Sequence, residues 1–316
     1  MSITALTGVR QQVKAGARPH PLLSVMAWEF RRFRASRLFW LQALGFFCLL
    51  LLVTWAQGTT DQLGISHGKL SLNGFIAGTS ALGLVNTLPS SSLVLLIFLL
   101  PFITTDGVTR DLQRRTHELL MTTALPIRAY VWGRYLMGLI LSLGLAVLLF
   151  AAILSMGLLL HLTVQDYPLP QVNALLLLWG GIVLPATVLV SSLSFALGTL
   201  LPRLSSVVKV VILLAWIIGA IVIPIGMREG NPPGWYVTWD PTGAVTALGM
   251  QHQYVFSNIS ANISSNDQFQ QALLAFENAM PQIGNWLAAH LLLAGVGLLL
   301  VLVAALAFKR TQDALN

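Results

Sequence analysis

Two stretches of this 316-residue chain have residue types and spacings that bear on chemistry. The first is "GISHGKL", Gly64 to Leu70, whose glycines and Lys69 resemble a loop that cradles phosphates with backbone N–H groups. It has one residue too few between the glycines, and Leu70 stands where a Ser or Thr must reach the metal, so phosphate chemistry is excluded there. The second gathers Arg110, Asp111, Arg114, Arg115 and Glu118 into nine residues of a chain that is only 9% charged. Mixed charges at that density serve recognition better than catalysis. The chain has no His-Glu-x-x-His, no Gly-x-Ser-x-Gly and no complete phosphate loop, so the recognisable catalytic signatures are missing. Its one cysteine, Cys48, excludes an intrachain disulfide and a Cys-based metal cluster. His290, inside an apolar run, reads as a hydrogen-bonded interior residue rather than a proton relay.

The elements that must position the charged stretch are set by composition. A hydrophobic content of 56% and a mean hydropathy of +0.77 do not fit an ordinary soluble surface. Six apolar runs are long enough to cross a bilayer: Leu38–Trp55, Leu82–Thr104, Tyr135–Leu159, Leu175–Leu200, Val207–Ile225 and Trp286–Phe308. They are continuously apolar rather than alternating, which predicts an all-α integral membrane protein and not a barrel. No cleavable signal peptide is expected, because residues 1–37 are polar and basic and the first apolar run is long enough to remain as an anchor.

Lys and Arg concentrate in short cytoplasmic loops, and this orients the bundle. Basic residues crowd the first 37 positions, the connection between the second and third runs, the connection holding Arg203 and Lys209, and the tail with Lys309 and Arg310; only Lys69 and Arg228 fall on the opposite side. Both termini are therefore expected in the cytoplasm. The net charge of +7 reads as a topology and lipid-headgroup signal, not as a nucleic-acid surface. No Asp or Glu lies deep in any run, and no internal repeat is evident, which argues against an ion-coupled secondary transporter.

Residues 1–37 are expected to include an in-plane amphipathic helix, with Leu22, Met26, Phe30 and Phe33 on one stripe. Residues 226–285 form the largest external loop. Asp240 and Pro241 predict a helix start there, a polar link "SNISANISSND" follows, and a second helix after Asn266-Asp267 carries Phe269, Leu273, Phe276 and Met280 and stops at Pro281. Trp235, Tyr236 and Trp239 fit an interfacial aromatic belt.

The charged stretch itself, in the cytoplasmic segment 105–134, predicts a membrane-parallel helix from Val108 to about Thr122, with Asp111 and Arg115 as an i, i+4 pair. Pro126 then breaks the pattern and restarts it, since Pro suits a first helical turn and biases Leu125 away from helix. A helix, a break and a long span make an elbow.

The run "RRTHELLMTTALPIRAYVWGRYL" resembles the coupling segment of ABC-2-type exporter permeases: Thr116, Glu118, Leu119, Leu120, Thr122, Pro126, Gly133 and Arg134 occupy that family's pattern, with Arg115 in place of its Gly and Arg110-Asp111 in place of its Arg-Glu lead. The order of six spans, an amphipathic helix before the first and "FALGTLLPRLSSVVKV" leaving the fourth is similar too. The resemblance implies a single permease domain over 1–316 in a bacterial inner membrane, paired with a second permease copy or a related permease. It would rest on a separate ABC ATP-binding subunit, which would carry ATP and Mg; this chain would bind no cofactor and be no enzyme itself. Arg110, Asp111, Arg114, Arg115, Glu118, Leu119 and Leu120 would form the docking surface, charges for register and leucines for a groove, and Pro126, Gly133 and Arg134 the elbow. Apolar spans favour a lipophilic or amphipathic cargo. The alternative is a non-transporting scaffold, or a subunit that transmits force to an external partner through 226–285.

Overall fold

The structure, a computed structural model, describes residues 20–66, 69–106, 126–228, 232–259 and 263–313, with side chains placed at all of these except 63–66, 69–71, 256–258 and 309–313. Among the described residues, six helices are long and apolar enough to cross a membrane: α2 Arg37–Ala56, α3 Ala81–Thr104, α4 Ile127–Thr163, α5 Val172–Leu200, α6 Pro202–Met227 and α10 Asn285–Phe308. This is the architecture of a multi-pass membrane protein, and five of the six runs lie within a few residues of their expected bounds. The exception is α4, which starts at Ile127 rather than near Tyr135, because nothing after Pro126 interrupts a helix.

Before the first long helix comes α1, Pro21–Ala35. Pro21 sits in its first turn, where the missing N–H breaks no bond. Ser36 ends α1 in an extended conformation and caps α2, its Oγ accepting from Phe39 N at 3.3 Å. Trp40 Nε1 donates back to Arg34 O at 3.0 Å and fixes the angle between the two helices.

The bundle is built round α5, the most enclosed of the six, while α2 and α6 show most of their surface. Close approach depends on small residues, since in an apolar surround packing and not solvent exclusion drives helix pairing. A Cβ on Gly297 of α10 would stand 3.2 Å from Leu189 Cα and Ser192 Cβ of α5, and one on Gly181 would stand 2.7 Å from the Trp286 ring. Tyr135 and Ser192 share a buried hydroxyl hydrogen bond of 2.8 Å between α4 and α5.

Three of the long helices widen to one π turn each: Leu88–Ser92 in α3, Trp179–Val183 in α5 and Ile218–Val222 in α6. In α5 and α6 a proline follows at the same offset, Pro185 and Pro224. Proline offers no N–H to the carbonyl four residues back and crowds it, and a wide turn relieves that clash without breaking the helix.

One expectation needs an addition. The loop after α2 is a two-stranded antiparallel hairpin, β1 Thr59–Ser66 with β2 Lys69–Ala77, Ser66 pairing Lys69 and Thr59 pairing Ala77, with an irregularity at Gly64/Ile65. Leu72, Gly74 and Ile76 face inward by strand alternation, and Phe75 is exposed. Of "GISHGKL", the described residues Gly64–Ser66 and Lys69–Leu70 therefore belong to the paired ends of the two strands.

The segment between α6 and α10 holds α7 Gly234–Trp239, α8 Ala244–Asn258 and α9 Asn266–Phe276. The expected N-cap is corrected: α8 begins at Ala244 with Gly243 in the N-cap position, and Asp240, three residues earlier, reaches the helix start only through its carboxylate, which accepts from Val245 N at 2.6 Å. The left-handed turn at Gly243 (φ 73°) must be completed first, so Pro241 lies in that turn rather than in the helix. The second helix ends at Phe276, before Pro281, leaving Met280 exposed beyond it.

Helix α9 covers the free edge of β2. Gln270 Oε1 accepts from Phe75 N and its Nε2 donates to Phe75 O, both at 2.7 Å, and Asn266 Oδ1 accepts from Asn73 N at 3.3 Å. A side-chain amide thus stands in for a third strand and protects an edge that would otherwise invite pairing. The same contact is closed by Glu277, whose Oε2 accepts from Ala77 N and whose backbone oxygen accepts from Leu82 N at 2.9 Å.

Burial pushes the Glu277 carboxyl above the usual range. A carboxyl raised in the folded state is protonated more readily there than in the open state. The cost of ionising it is absent below the ordinary carboxylate value and fully present above the raised one, so closure of α9 on the hairpin weakens as pH rises through that window. Hydrogen exchange at residues 72–77, corrected for intrinsic rates, should show this loss, and Glu277→Gln should remove its pH dependence.

Candidate functional site

The expected docking residues Arg110, Asp111, Arg114, Arg115, Glu118, Leu119 and Leu120 lie outside the described residues, as does the helix expected from Val108 to Thr122. The structure describes what that segment joins. Upstream it leaves α3 after Asp106; downstream it enters α4 through Pro126.

Pro126 is extended (ψ 130°) and helix starts at Ile127, so the break is where the sequence places it. From there α4 runs 37 residues to Thr163 without interruption. Gly133 and Arg134 are corrected by this geometry: they lie in the second turn of α4 rather than in a bend, and both are buried. Their role is to receive α1.

Gly133 leaves room for that helix, since a Cβ there would stand 2.8 Å from Val25 Cβ. Arg134 pairs with Glu29 of α1, both side chains 3% exposed. Arg32 reaches the same carboxylate from the next turn at 3.2 Å. The Arg134 guanidinium also lies over the Trp28 ring at 5.0 Å and the Tyr130 ring at 5.3 Å, a desolvated setting in which ring faces attract a cation. Two charges taken out of water gain little net stability from each other, but they define one register, because any slip of α1 on α4 strands both.

Those contacts define the face of α1 that packs on α4. Its docked residues are Val25 and Glu29, while Phe30 of the expected stripe is exposed and Leu22, Met26 and Phe33 are half-buried. Glu29 was the missed residue, and the signal for it is a lone carboxylate among Arg31, Arg32 and Arg34.

A second ion pair closes the same end of the bundle. Lys209 of α6 donates to Asp106, just past α3, at 2.8 Å and lies 5.6 Å from the Phe102 ring. Lys209 thereby ties the first turns of α6 to the residue from which the segment 107–125 departs. At the opposite end His290 is buried as expected, its Nδ1 2.7 Å from Trp286 O.

The site therefore has no catalytic arrangement among the described residues. It is a junction in which the two flanks of 107–125 are each held to another helix by a charged contact. In comparison with known proteins, the chain matches no family model and no curated sequence.

Proposed function

We propose that this chain is the membrane-spanning permease subunit of an ATP-driven ABC transporter of the ABC-2 type, an exporter of a lipophilic or amphipathic cargo, with Arg110 to Leu120 docking a separate ATP-binding subunit. The observation that supports this reading most directly is the junction. The segment that resembles a coupling helix feeds through the Pro126 break into an unbroken 37-residue helix whose base is locked to α1 by Glu29 and Arg134. A push on such a segment is carried along α4 as a lever rather than absorbed by a bend. By the positive-inside rule this end faces the cytoplasm, both termini with it, and the hairpin and α7–α9 face outward. ATP and Mg belong to the partner, and a second permease copy or a related one completes the assembly.

The cap of hairpin and helices favours one alternative, a subunit that relays the same motion to an external partner. Purification in mild detergent followed by mass spectrometry of copurifying chains tests the proposal. An ATPase should be present, and Glu118→Arg should leave the chain in the membrane while depleting that ATPase. No copurifying ATPase, together with no ATP-dependent activity after reconstitution, would overturn the reading.

A further inference from the structure

At the hairpin end a cavity of about 470 Å³ lies between β1, the outer parts of α3 and α6, and α8. Thr59, Thr60, Asp61 and Gln62 all line it. Successive strand side chains point to opposite faces, so four consecutive lining residues mean that the cavity runs along the edge of β1 and not under one face alone. Thr60 and Gln62 are buried on the face that carries Ile76 of β2, while Thr59 and Asp61 are exposed on the other. The other walls mix Ile221, Leu248 and Val255 with the uncharged Asn86 and Gln251, and Arg228, past the end of α6, is exposed.

The two edges of the hairpin are in opposite states. Asn73, Phe75 and Ala77 turn their N–H groups away from β1, and the side chains of Asn266, Gln270 and Glu277 accept from them. In an antiparallel pair, the residue opposite an outward-turned one is turned outward too. Ala77 faces Thr59 and Phe75 faces Asp61, so the N–H and C=O groups of Thr59 and Asp61 point out of the sheet along the free edge of β1. Among the described residues nothing donates to them or accepts from them. On the same strand Thr60 Oγ1 and Gln62 Nε2 are buried without a hydrogen-bond partner. Folded proteins ordinarily cover a strand edge, as α9 covers that of β2; the edge of β1 is left open onto a cavity.

We infer that the free edge of β1 is a docking site for an extended segment of an external polypeptide, which adds to the hairpin as a third strand. The repeat of the outward groups carries the choice of partner. The N–H and C=O sets of Thr59 and Asp61 stand two residues, or about 7 Å, apart, and an extended peptide backbone presents its own groups at that spacing. Four strand residues give the site a length of about 13 Å, over which the cavity has the cross-section of one extended chain. A second copy of this chain would bring a whole hairpin backed by α9, too wide for a space walled on its far side by α6 and α8. Inward side chains of the added strand stand next to Thr60 and Gln62, a position that favours hydroxyl, amide and aliphatic groups over charges. The inference rests on the outward placement of the hairpin and not on the docking of an ATPase, so its test uses the full chain alone.

The chain, one copy per phosphatidylglycerol nanodisc, is titrated with a blocked hexapeptide of alternating valine and threonine while amide exchange is followed residue by residue. Exchange at Thr59 and Asp61 should slow saturably, by about tenfold, while Thr60 and Gln62, whose N–H groups already point to β2, should not change. Backbone pairing produces that alternation and simple burial does not. The same peptide N-methylated at every residue, and a blocked hexapeptide of alternating lysine and glutamate, should have no effect. Asp61→Pro removes an outward N–H and places a ring on the edge, so it should abolish the slowing at Thr59 while exchange at 72–76 stays as it was. Asp61→Asn, which removes only the charge, should keep the response. If Asp61→Pro also disturbs 72–76, the N-methylated peptide decides alone. No slowing, uniform slowing across 59–62, equal action of the N-methylated or the charged peptide, or loss of the response in Asp61→Asn would overturn the inference. Protection of the Thr59 and Asp61 amides in detergent before any peptide is added, lost at one copy per nanodisc, would put a second copy on the edge and overturn it as well.

Discussion

Glu29→Ala is expected to loosen α1 from α4 by about 3 kcal/mol, a factor on the order of 100 in the docked-to-undocked ratio, because it leaves the buried Arg134 guanidinium without the carboxylate that justifies its burial. The two rings beside Arg134 remain, but their attraction is smaller than what is lost, on the order of 1 kcal/mol each. Trypsin should then cut at Arg31, Arg32 and Arg34 at concentrations that spare the unaltered chain, and the thermal unfolding midpoint should fall. The contrast is the paired change Glu29→Met with Arg134→Met, which replaces two buried charges by apolar side chains of similar volume and should come close to neutral. A single change as mild as the pair would mean that the contact is solvated and sets no register. If the permease reading is right, the single change should also reduce ATP-dependent activity more than it reduces copurification of the ATPase, since the docking residues are untouched while the lever has lost its fulcrum.

The sequence made the six long helices legible because each is a continuous apolar run, and nothing else satisfies backbone groups over that length in lipid. It located the Pro126 break for an equally local reason, the missing proline N–H. What it did not disclose depends on partners distant in the chain. Glu29 looks like one more charge on a basic amphipathic helix until Arg134, about a hundred positions later, is found against it. Asp106 and Lys209 are likewise 103 residues apart. The hairpin was obscured because only one face of β2 is apolar and its neighbour is not a third strand but the amide of Gln270. The π turns lie inside apolar runs that read as ordinary helix, marked only by Pro89 within the first and by Pro185 and Pro224 just after the other two. The cavity of about 470 Å³ between β1, α3, α6 and α8 could not have been read at all, since it is a property of four elements whose lining residues are individually unremarkable strand and helix positions.

Asp240→Ala should produce the second large effect, and at the other end of the molecule. Asp240 is fully buried; its Oδ1 accepts from Thr242 N at 2.9 Å and Thr242 Oγ1 at 2.8 Å, and its Oδ2 accepts from Val245 N at 2.6 Å. Hydrogen bonds to a carboxylate are among the stronger ones, and removing the acceptor orphans buried donors in the first turn of α8, so a loss of about 3 kcal/mol in local stability is expected. Asp240→Asn, which keeps one acceptor oxygen, should lose less. Hydrogen exchange across 244–255 measures it, with residues 127–163 as an internal reference that should not change. The consequence reaches the cavity of about 470 Å³ between β1, α3, α6 and α8, because Ala244, Ala247 and Leu248 of α8 are part of its wall. Asp240→Ala should therefore raise exchange across 244–255 while leaving copurification of an ATPase intact, and Glu118→Arg should deplete the ATPase while leaving that exchange unchanged. That double dissociation separates the two ends of the bundle physically: one responds to a charged surface and a lever, the other to a capped helix over a polar cavity. Loss of both properties from either change alone would instead mean that the chain unfolds as one unit, and that neither site can be assigned by substitution.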